Sequence, residues 1–402
     1  MNEVLQKLFD MTAFGEIAQS PGSLFMILIA FGFLYLGIQK RYEPLLLVPI
    51  AFGILMANFP GGAMNVIPSE TVPEIETMTL NQIAKQFGIM NLIYYSLIKT
   101  GLLPPLIFMG VGAMTDFGPM LRNLRLAFFG AAAQLGIFSV MLAAVSLGFS
   151  LKEAGALGII GGADGPTAIY TSIKLAPHLL GPIAIAAYSY MALVPLIIPF
   201  VVKISITKKE LKINMKEQDK LYPSKQVITD LRTAKILFPI ILGTIVIMLV
   251  PTSAPLIGML LFGNLIKEIG SDTNRLYSAA TETIMNTSTI FLGLAVGATM
   301  TAATFLNQQT LLIVFGGFIA FCISILGGIM AVKVYNLFSR KKINPLIGAT
   351  GLSAVPMASR VANDIALKHD SKNHLLQYAM SSNISGVIGS AVAAGVLISL
   401  LG

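Results

Sequence analysis

Long uncharged apolar runs separated by short polar segments occupy most of the chain. A helix needs about 20 apolar residues to cross a hydrocarbon layer of ~30 Å. Runs near 23–38, 44–57, 91–114, 126–149, 180–202, 236–250, 255–266, 284–304, 310–333 and 376–401 approach that length. The pattern predicts an all-α polytopic membrane protein. Two further apolar stretches read differently. The run 154–176 contains Gly158, Gly161, Gly162, Gly165 and Pro166, and 343–358 contains Pro345, Gly348, Gly351 and Pro356. Such residues break helices, and irregular backbone at membrane depth is tolerated only where protein or a polar cavity surrounds it.

The basic residues turn these spans into a topology. The polar interruption 203–235 holds nine Lys/Arg (Lys203, Lys208, Lys209, Lys212, Lys216, Lys220, Lys225, Arg232, Lys235) against four acids, which places it in the cytoplasm. Lys40-Arg41, Arg122 with Arg125, and Arg340-Lys341-Lys342 are assigned to the same side. Counting crossings from Lys40-Arg41 leaves residue 150 outside, yet 180–202 must run inward to reach the basic linker. The run 154–176 is therefore expected to enter and leave on the outer side, and 343–358 to do the same from the cytoplasm. The halves 1–202 and 236–402 then have opposite orientations, joined by the linker 203–235.

The halves also resemble each other in sequence. Val111-Gly112-Ala113-Met114-Thr115 lies on Val296-Gly297-Ala298-Thr299-Met300, the two breaks fall at a similar offset, and Tyr188 falls on Tyr378. The expected architecture is two inverted repeats of about five transmembrane helices, each with a broken re-entrant hairpin. That arrangement is secondary-transporter-like, with a binding site where the breaks meet.

Composition narrows the function. Of 402 residues 55% are hydrophobic and 11% charged, against roughly 25% charged in soluble domains, so a soluble enzyme is excluded. One cysteine, Cys322, and three scattered histidines (His178, His369, His374) provide neither a disulfide framework nor a Cys/His zinc cluster. The net charge of +8 lies in the loops, where it sets orientation rather than binding nucleic acid. Residues 1–20, with Glu3, Asp10 and Glu16, do not read as a cleaved signal peptide. No G-x-x-x-x-G-K-[ST] or G-x-G-x-x-G run occurs, so uphill transport needs an energy source other than a P-loop in this chain.

An ionisable group at membrane depth costs about 2.5–3.5 kcal/mol on insertion scales, which singles out Asp164 in Gly161-Gly162-Ala163-Asp164-Gly165-Pro166-Thr167. It suits a helix N-cap with Pro166 in the first turn, and equally a hard oxygen ligand for a small cation or a proton carrier. The second break, Asn344 to Arg360, has no acid. Its freed carbonyls, with Ser353, Ser382 and Asn383, are candidates to complete an oxygen shell around a sodium-sized ion, although helix–helix hydrogen bonding accounts equally well for Ser382 and Asn383. Arg360 is either a snorkelling cation or a fixed partner for a carboxylate. Tyr188-Ser189-Tyr190 reads as an interfacial aromatic pair, and Asp116, near Arg122, as a solvated or structural charge.

The runs Gly161 to Thr167, Tyr188 to Pro195, Asn344 to Arg360 and Ser382 to Val392 resemble the beta subunit of the sodium-pumping biotin-dependent decarboxylases, the oxaloacetate, methylmalonyl-CoA and glutaconyl-CoA enzymes. The resemblance extends from about residue 20 to the end. It implies decarboxylation of carboxybiotin coupled to sodium export and proton consumption. It further implies an alpha carboxyltransferase subunit, a biotin carrier, small gamma and delta membrane subunits, a homo-oligomer within the complex, and the inner membrane of a bacterial or archaeal cell. By this resemblance Asp164, Arg360 and Tyr190 are catalytic. Asp164, Asn344, Gly348, Ser353 and Asn383 are expected to bind sodium, with Ser382 added from the residue reading above, and that reading lets Arg360 meet the carboxylate of carboxybiotin. Biotin is expected on a partner, because Met215-Lys216 lacks the carrier's Met-Lys-Met context. On the broken helices alone, a stand-alone sodium/proton antiporter or sodium-coupled carboxylate carrier remains the alternative.

Overall fold

The computed structural model describes residues 12, 20–41, 43–62, 64–69, 71–162, 164–223, 230–354 and 356–402; the expectations that touch Glu3, Asp10, Glu16, Ala163 and Lys225 lie outside them. The described regular structure is helical. We number its principal helices α1 (Pro21–Ile38), α2 (Pro44–Asn58), α3 (Leu103–Met114), α4 (Leu124–Ala133), α5 (Leu135–Ser146), α6 (Leu151–Gly158), α7 (Gly165–Leu175), α8 (Leu180–Ser205), α9 (Leu231–Leu249), α10 (Ala254–Ile269), α11 (Met285–Ala298), α12 (Gln308–Phe338), α13 (Met357–His369) and α14 (Leu376–Leu401). Among the described residues, α1, the α4–α5 run, α9, α12 and α14 are each long and apolar enough to cross a membrane, and two bent pairs raise the total to as many as seven. The chain is a multi-pass membrane protein. Large side chains such as Phe128, Leu142, Met248, Phe315 and Phe338 stay exposed on these helices, as expected of surfaces that face lipid rather than water.

The bends amend the simplest reading of two spans. The run 91–114 is two helical pieces, Ile89–Ile98 and α3, bent by 68°. Gly101 between them sits at φ +77°, a conformation glycine adopts freely, and Pro104 and Pro105 follow in the first turn of α3. Helix α8 bends by 67° around Ala192, where Pro195 has no N–H to give the Met191 carbonyl. Other boundaries also move. The run 284–304 ends as a helix at Ala298, because Thr301 and Thr304 form a new capping box. The linker is shorter than 203–235, since α8 continues to Ser205 and Asp230 caps α9 by accepting from Arg232 and Thr233 N–H.

Close backbone crossings organise the interior. A Cβ on Gly53 of α2 would lie 2.3 Å from the Leu294 carbonyl oxygen, and one on Gly297 of α11 would lie 2.2 Å from that of Ile50. The crossing of α3 with α10 has the same form: Gly112 faces the Leu260 carbonyl at 1.8 Å and Gly263 that of Met109 at 1.9 Å. Small residues let helix axes approach where lipid offers no hydrophobic driving force, leaving dispersion and backbone contact to hold the pair. Around these crossings α4 packs on α14 and α8 on α12, and the two helix breaks are enclosed between them.

Two of the basic clusters meet the linker on one face. Lys341 Nζ lies 2.6 Å from Asp219 on the linker helix Met215–Leu221, and Tyr378 donates to the other Asp219 oxygen at 2.6 Å. Arg122, Arg125, Arg340 and Lys341 line one cavity of about 590 Å³ with Asp219 and Tyr222. Asp116 pairs with Lys235 at 2.6 Å, so it is a structural charge. Burial of its carboxyl opposes ionisation, but the Lys235 ammonium and the Gly118 N–H outweigh that and hold it below the usual carboxylate range.

Candidate functional site

The first break is built for a helix start inside the protein. Helix α6 opens with a Ser150–Glu153 capping box, tightens into a 3₁₀ turn at Ile159–Gly161 and stops at Gly162. Helix α7 begins at Gly165. Asp164 is its N-cap: one carboxylate oxygen accepts from the Thr167 N–H at 2.9 Å and the Thr167 hydroxyl at 2.6 Å. The side chain is buried, and no Lys, Arg or His among the described residues pairs with it. Its negative charge is opposed only by Thr167 and by the positive end of the α7 dipole. Gly165 admits the ring of Tyr188, which a Cβ there would meet at 2.2 Å. The Tyr188 hydroxyl is buried, has no hydrogen-bond partner, and lies within electrostatic reach of Asp164.

The second break has a different construction. Pro345–Thr350 forms a 3₁₀ stretch, residues 351–354 are irregular, and α13 follows as a polar helix running well beyond 358. Asn383 of α14 clamps it, donating to the Thr350 and Leu352 carbonyls and accepting from the Ser359 hydroxyl at 3.2 Å. Gly348 lies backbone to backbone against Gly328 of α12, each site placing a Cβ 2.1 Å from the other's carbonyl oxygen. Ser353 then reaches across. Its hydroxyl lies 3.0 Å from the Gly162 carbonyl in the first break, 2.7 Å from Ser390 Oγ and 3.3 Å from the Gly386 carbonyl. The two breaks therefore touch, two residues from the buried carboxylate, in a setting of oxygen atoms suited to a hard cation.

A family profile described as "Na+-transporting oxaloacetate decarboxylase beta subunit" matches residues 22–401. The chain belongs to this family. The methylmalonyl-CoA decarboxylase subunit beta of Propionigenium modestum is 47% identical to it over 99% of the chain and 100% of the relative. The oxaloacetate decarboxylase beta chain of Klebsiella pneumoniae and the glutaconyl-CoA decarboxylase subunit beta of Acidaminococcus fermentans are each 45% identical, over 96% of both sequences. This beta subunit is the membrane component of a sodium-pumping decarboxylase, and the stand-alone antiporter or carboxylate carrier is set aside.

Within the beta subunit the remaining candidates fall in distinct places. Asn344 does not present free ligand atoms here: its amide donates to the Leu211 and Ile213 carbonyls at 3.1 and 2.9 Å, and its oxygen accepts from the Leu346 N–H. It fastens the linker to the start of the second break. Ser382 is buried with an unpartnered hydroxyl. Tyr190 stacks at a tilt on Phe318 and Phe321 of α12, whereas Tyr188 lies at the N-terminus of α7. Both rings are buried, which corrects the interfacial reading. Arg360 is exposed on the first turn of α13 and makes no ion pair among the described residues. Its charge is felt by Glu43 at the start of α2, whose carboxyl burial pushes above the ordinary range against the pull of Arg360.

Sequence reasoning passed over Gln134. It sits at the joint of α4 and α5, is 6% exposed, and its Nε2 lies 3.2–3.3 Å from the Gly130, Gly351 and Gly386 carbonyls. The available signal was a lone amide inside an apolar run. Tyr188 carried no signal separating it from Tyr190, because only packing decides which ring faces the break.

Proposed function

We propose that this beta subunit decarboxylates carboxybiotin brought to the cytoplasmic face of a bacterial or archaeal inner membrane, and that the reaction drives sodium outward through a site between the two breaks. Breaking the bond between the carboxylate carbon and the ureido nitrogen releases carbon dioxide. The electron pair remains on the nitrogen, which takes up a proton. An alpha carboxyltransferase subunit and a biotin carrier deliver the carboxyl group, small gamma and delta subunits complete the assembly, and several beta subunits share it.

The observation that carries this reading is the Ser353–Gly162 hydrogen bond beside buried, unpaired Asp164. Sodium supplies the charge that Asp164 lacks, and a proton on Asp164 replaces it after release. Arg360, exposed on the first turn of α13, receives the carboxylate of carboxybiotin through its planar fork. Ser353, Ser382, Asn383, Gly348, Asn344 and Tyr190 act as liganding, packing or positioning groups around that exchange.

The inverted repeat, with domains 1–202 and 236–402 and re-entrant segments near 154–176 and 343–358, is supported by matched irregularities. A π-helical stretch at Tyr94–Ile98 precedes α3 and another at Ala279–Ile284 precedes α11, at the same offset that lays Val111 on Val296. The glycine crossings of α2 with α11 and of α3 with α10 also correspond, Gly112 with Gly297 at that offset and Gly53 with Gly263 at a longer one. The test is assembly and sodium dependence. The beta subunit is expected to co-purify with an avidin-reactive carrier, and the complex to decarboxylate free carboxybiotin only with sodium present. Sodium transport by the beta subunit alone in liposomes, with no carboxybiotin, would overturn the proposal.

A further inference from the structure

Gln134 has the properties of a ligand that has not met its ion. Three carbonyls surround its Nε2, so the amide cannot be turned over without setting an oxygen against oxygens. That fixes Oε1 on the opposite side, where it faces Gly162: a Cβ there would lie 2.5 Å from it. Oε1 is buried and accepts no hydrogen bond, so it carries the desolvation penalty of an unsatisfied polar atom unless a partner meets it. The same side chain touches the first break through Oε1, the second break through Gly351 and α14 through Gly386, and the Gly386 carbonyl is shared with Ser353. A cation is a partner such an oxygen can take, since the Ser353 and Ser390 hydroxyls beside the Gly386 carbonyl already meet carbonyl oxygens.

We infer that Gln134 gives its amide oxygen to the transported monovalent cation, sodium or the smaller lithium, completing from the α4–α5 joint a shell that includes Asp164 and Ser353. The inference rests on the proposed site between the breaks and deepens it. Because the donor end of the amide holds Gly351 and Gly386, the ion's arrival at Oε1 pulls both breaks and α14 together. Separation of the breaks removes the ligand, so ion release and opening become one event.

The test uses the assembled complex and reads binding as sodium-induced thermal stabilisation, alongside sodium-dependent decarboxylation. Gln134→Leu is expected to raise the half-saturating sodium concentration by more than tenfold. Gln134→Glu, which keeps an oxygen toward Gly162 but loses the amide donor, is expected to retain sodium-induced stabilisation. If Gln134 were only a clamp through Nε2, Glu would be as damaging as Leu, and that result overturns the inference. Gln134→Asn withdraws the oxygen by one methylene and is expected to change the lithium-to-sodium preference several-fold. An unchanged preference overturns the inference even where the Leu variant fails to assemble. Failure of the underlying site reads differently: sodium stabilisation would then persist in Asp164→Asn, whatever the Gln134 variants do.

Discussion

The two breaks are built differently, and the sodium site proposed between them would draw on each unequally. The first is short, ends one helix and starts another, and carries the only acid, Asp164, capped onto Thr167. The second is longer, begins as a 3₁₀ stretch and has no acid; its own Asn344 and Thr350, with Asn383 of α14, hold its shape. One break holds a charge and the other holds a geometry. A carboxylate in a low-dielectric interior is costly unless a counter-charge arrives, so the ion gains most at the first break. The second break supplies neutral oxygens at fixed positions, which discriminate by size rather than charge.

The largest effect is expected of Asp164→Asn. Asn and Asp cap helices comparably, so if Asp164 only starts α7 the variant retains wild-type sodium dependence. As the charged half of the site, it is expected to abolish sodium-dependent decarboxylation and transport together while the complex still assembles, and Asp164→Glu to keep at most weak activity. Arg360→Lys comes next. It keeps a charge but loses the two-point match to a carboxylate, and is expected to slow decarboxylation of free carboxybiotin about tenfold or more, while sodium-induced stabilisation is unchanged. Normal turnover would leave Arg360 as a surface cation.

Ser353→Ala sharpens the boundary between the breaks. It removes the hydroxyl beside Gly162, Gly386 and Ser390, a change worth about 1 kcal/mol. Half-saturating sodium is expected to rise several-fold, with the pH dependence of decarboxylation unaltered because the titrating group is on the other break. A shifted pH profile with normal sodium affinity would show that the division of labour is misplaced. The smallest effect belongs to orientation. A cysteine replacing exposed Lys216, with Cys322→Ser, is expected to leave activity unchanged and to resist an impermeant thiol reagent on intact cells, and labelling from outside would reverse the assignment of the linker to the cytoplasm.

Much of this was legible in the residues. Apolar run lengths placed the helices within a few positions, with α14 matching its expected end at 401, because long uncharged segments must satisfy their backbone internally as helices. Glycine and proline density located both breaks, and Asp164 stood out because an acid without a nearby base is expensive in an apolar run. The family resemblance was carried by the same short motifs.

Other features depended on contacts between distant segments, which no local pattern encodes. The 68° bend before α3 and the 67° bend in α8 depend on how neighbours receive the turned pieces. Asn344 and Ser353 are both polar residues in one break, yet the fold commits Asn344 to the linker and gives Ser353 to the opposing break. Tyr188 and Tyr190 are two residues apart in one helix, and only the placement of Gly165 and α12 sends one ring to the carboxylate and the other to Phe318. Gln134 is the sharpest case. Composition, run length and motif fixed which segments break and where charge is buried, because those are properties of a segment and its solvent. Which oxygen faces which break was decided by tertiary packing, because directing an amide requires three carbonyls from three different parts of the chain.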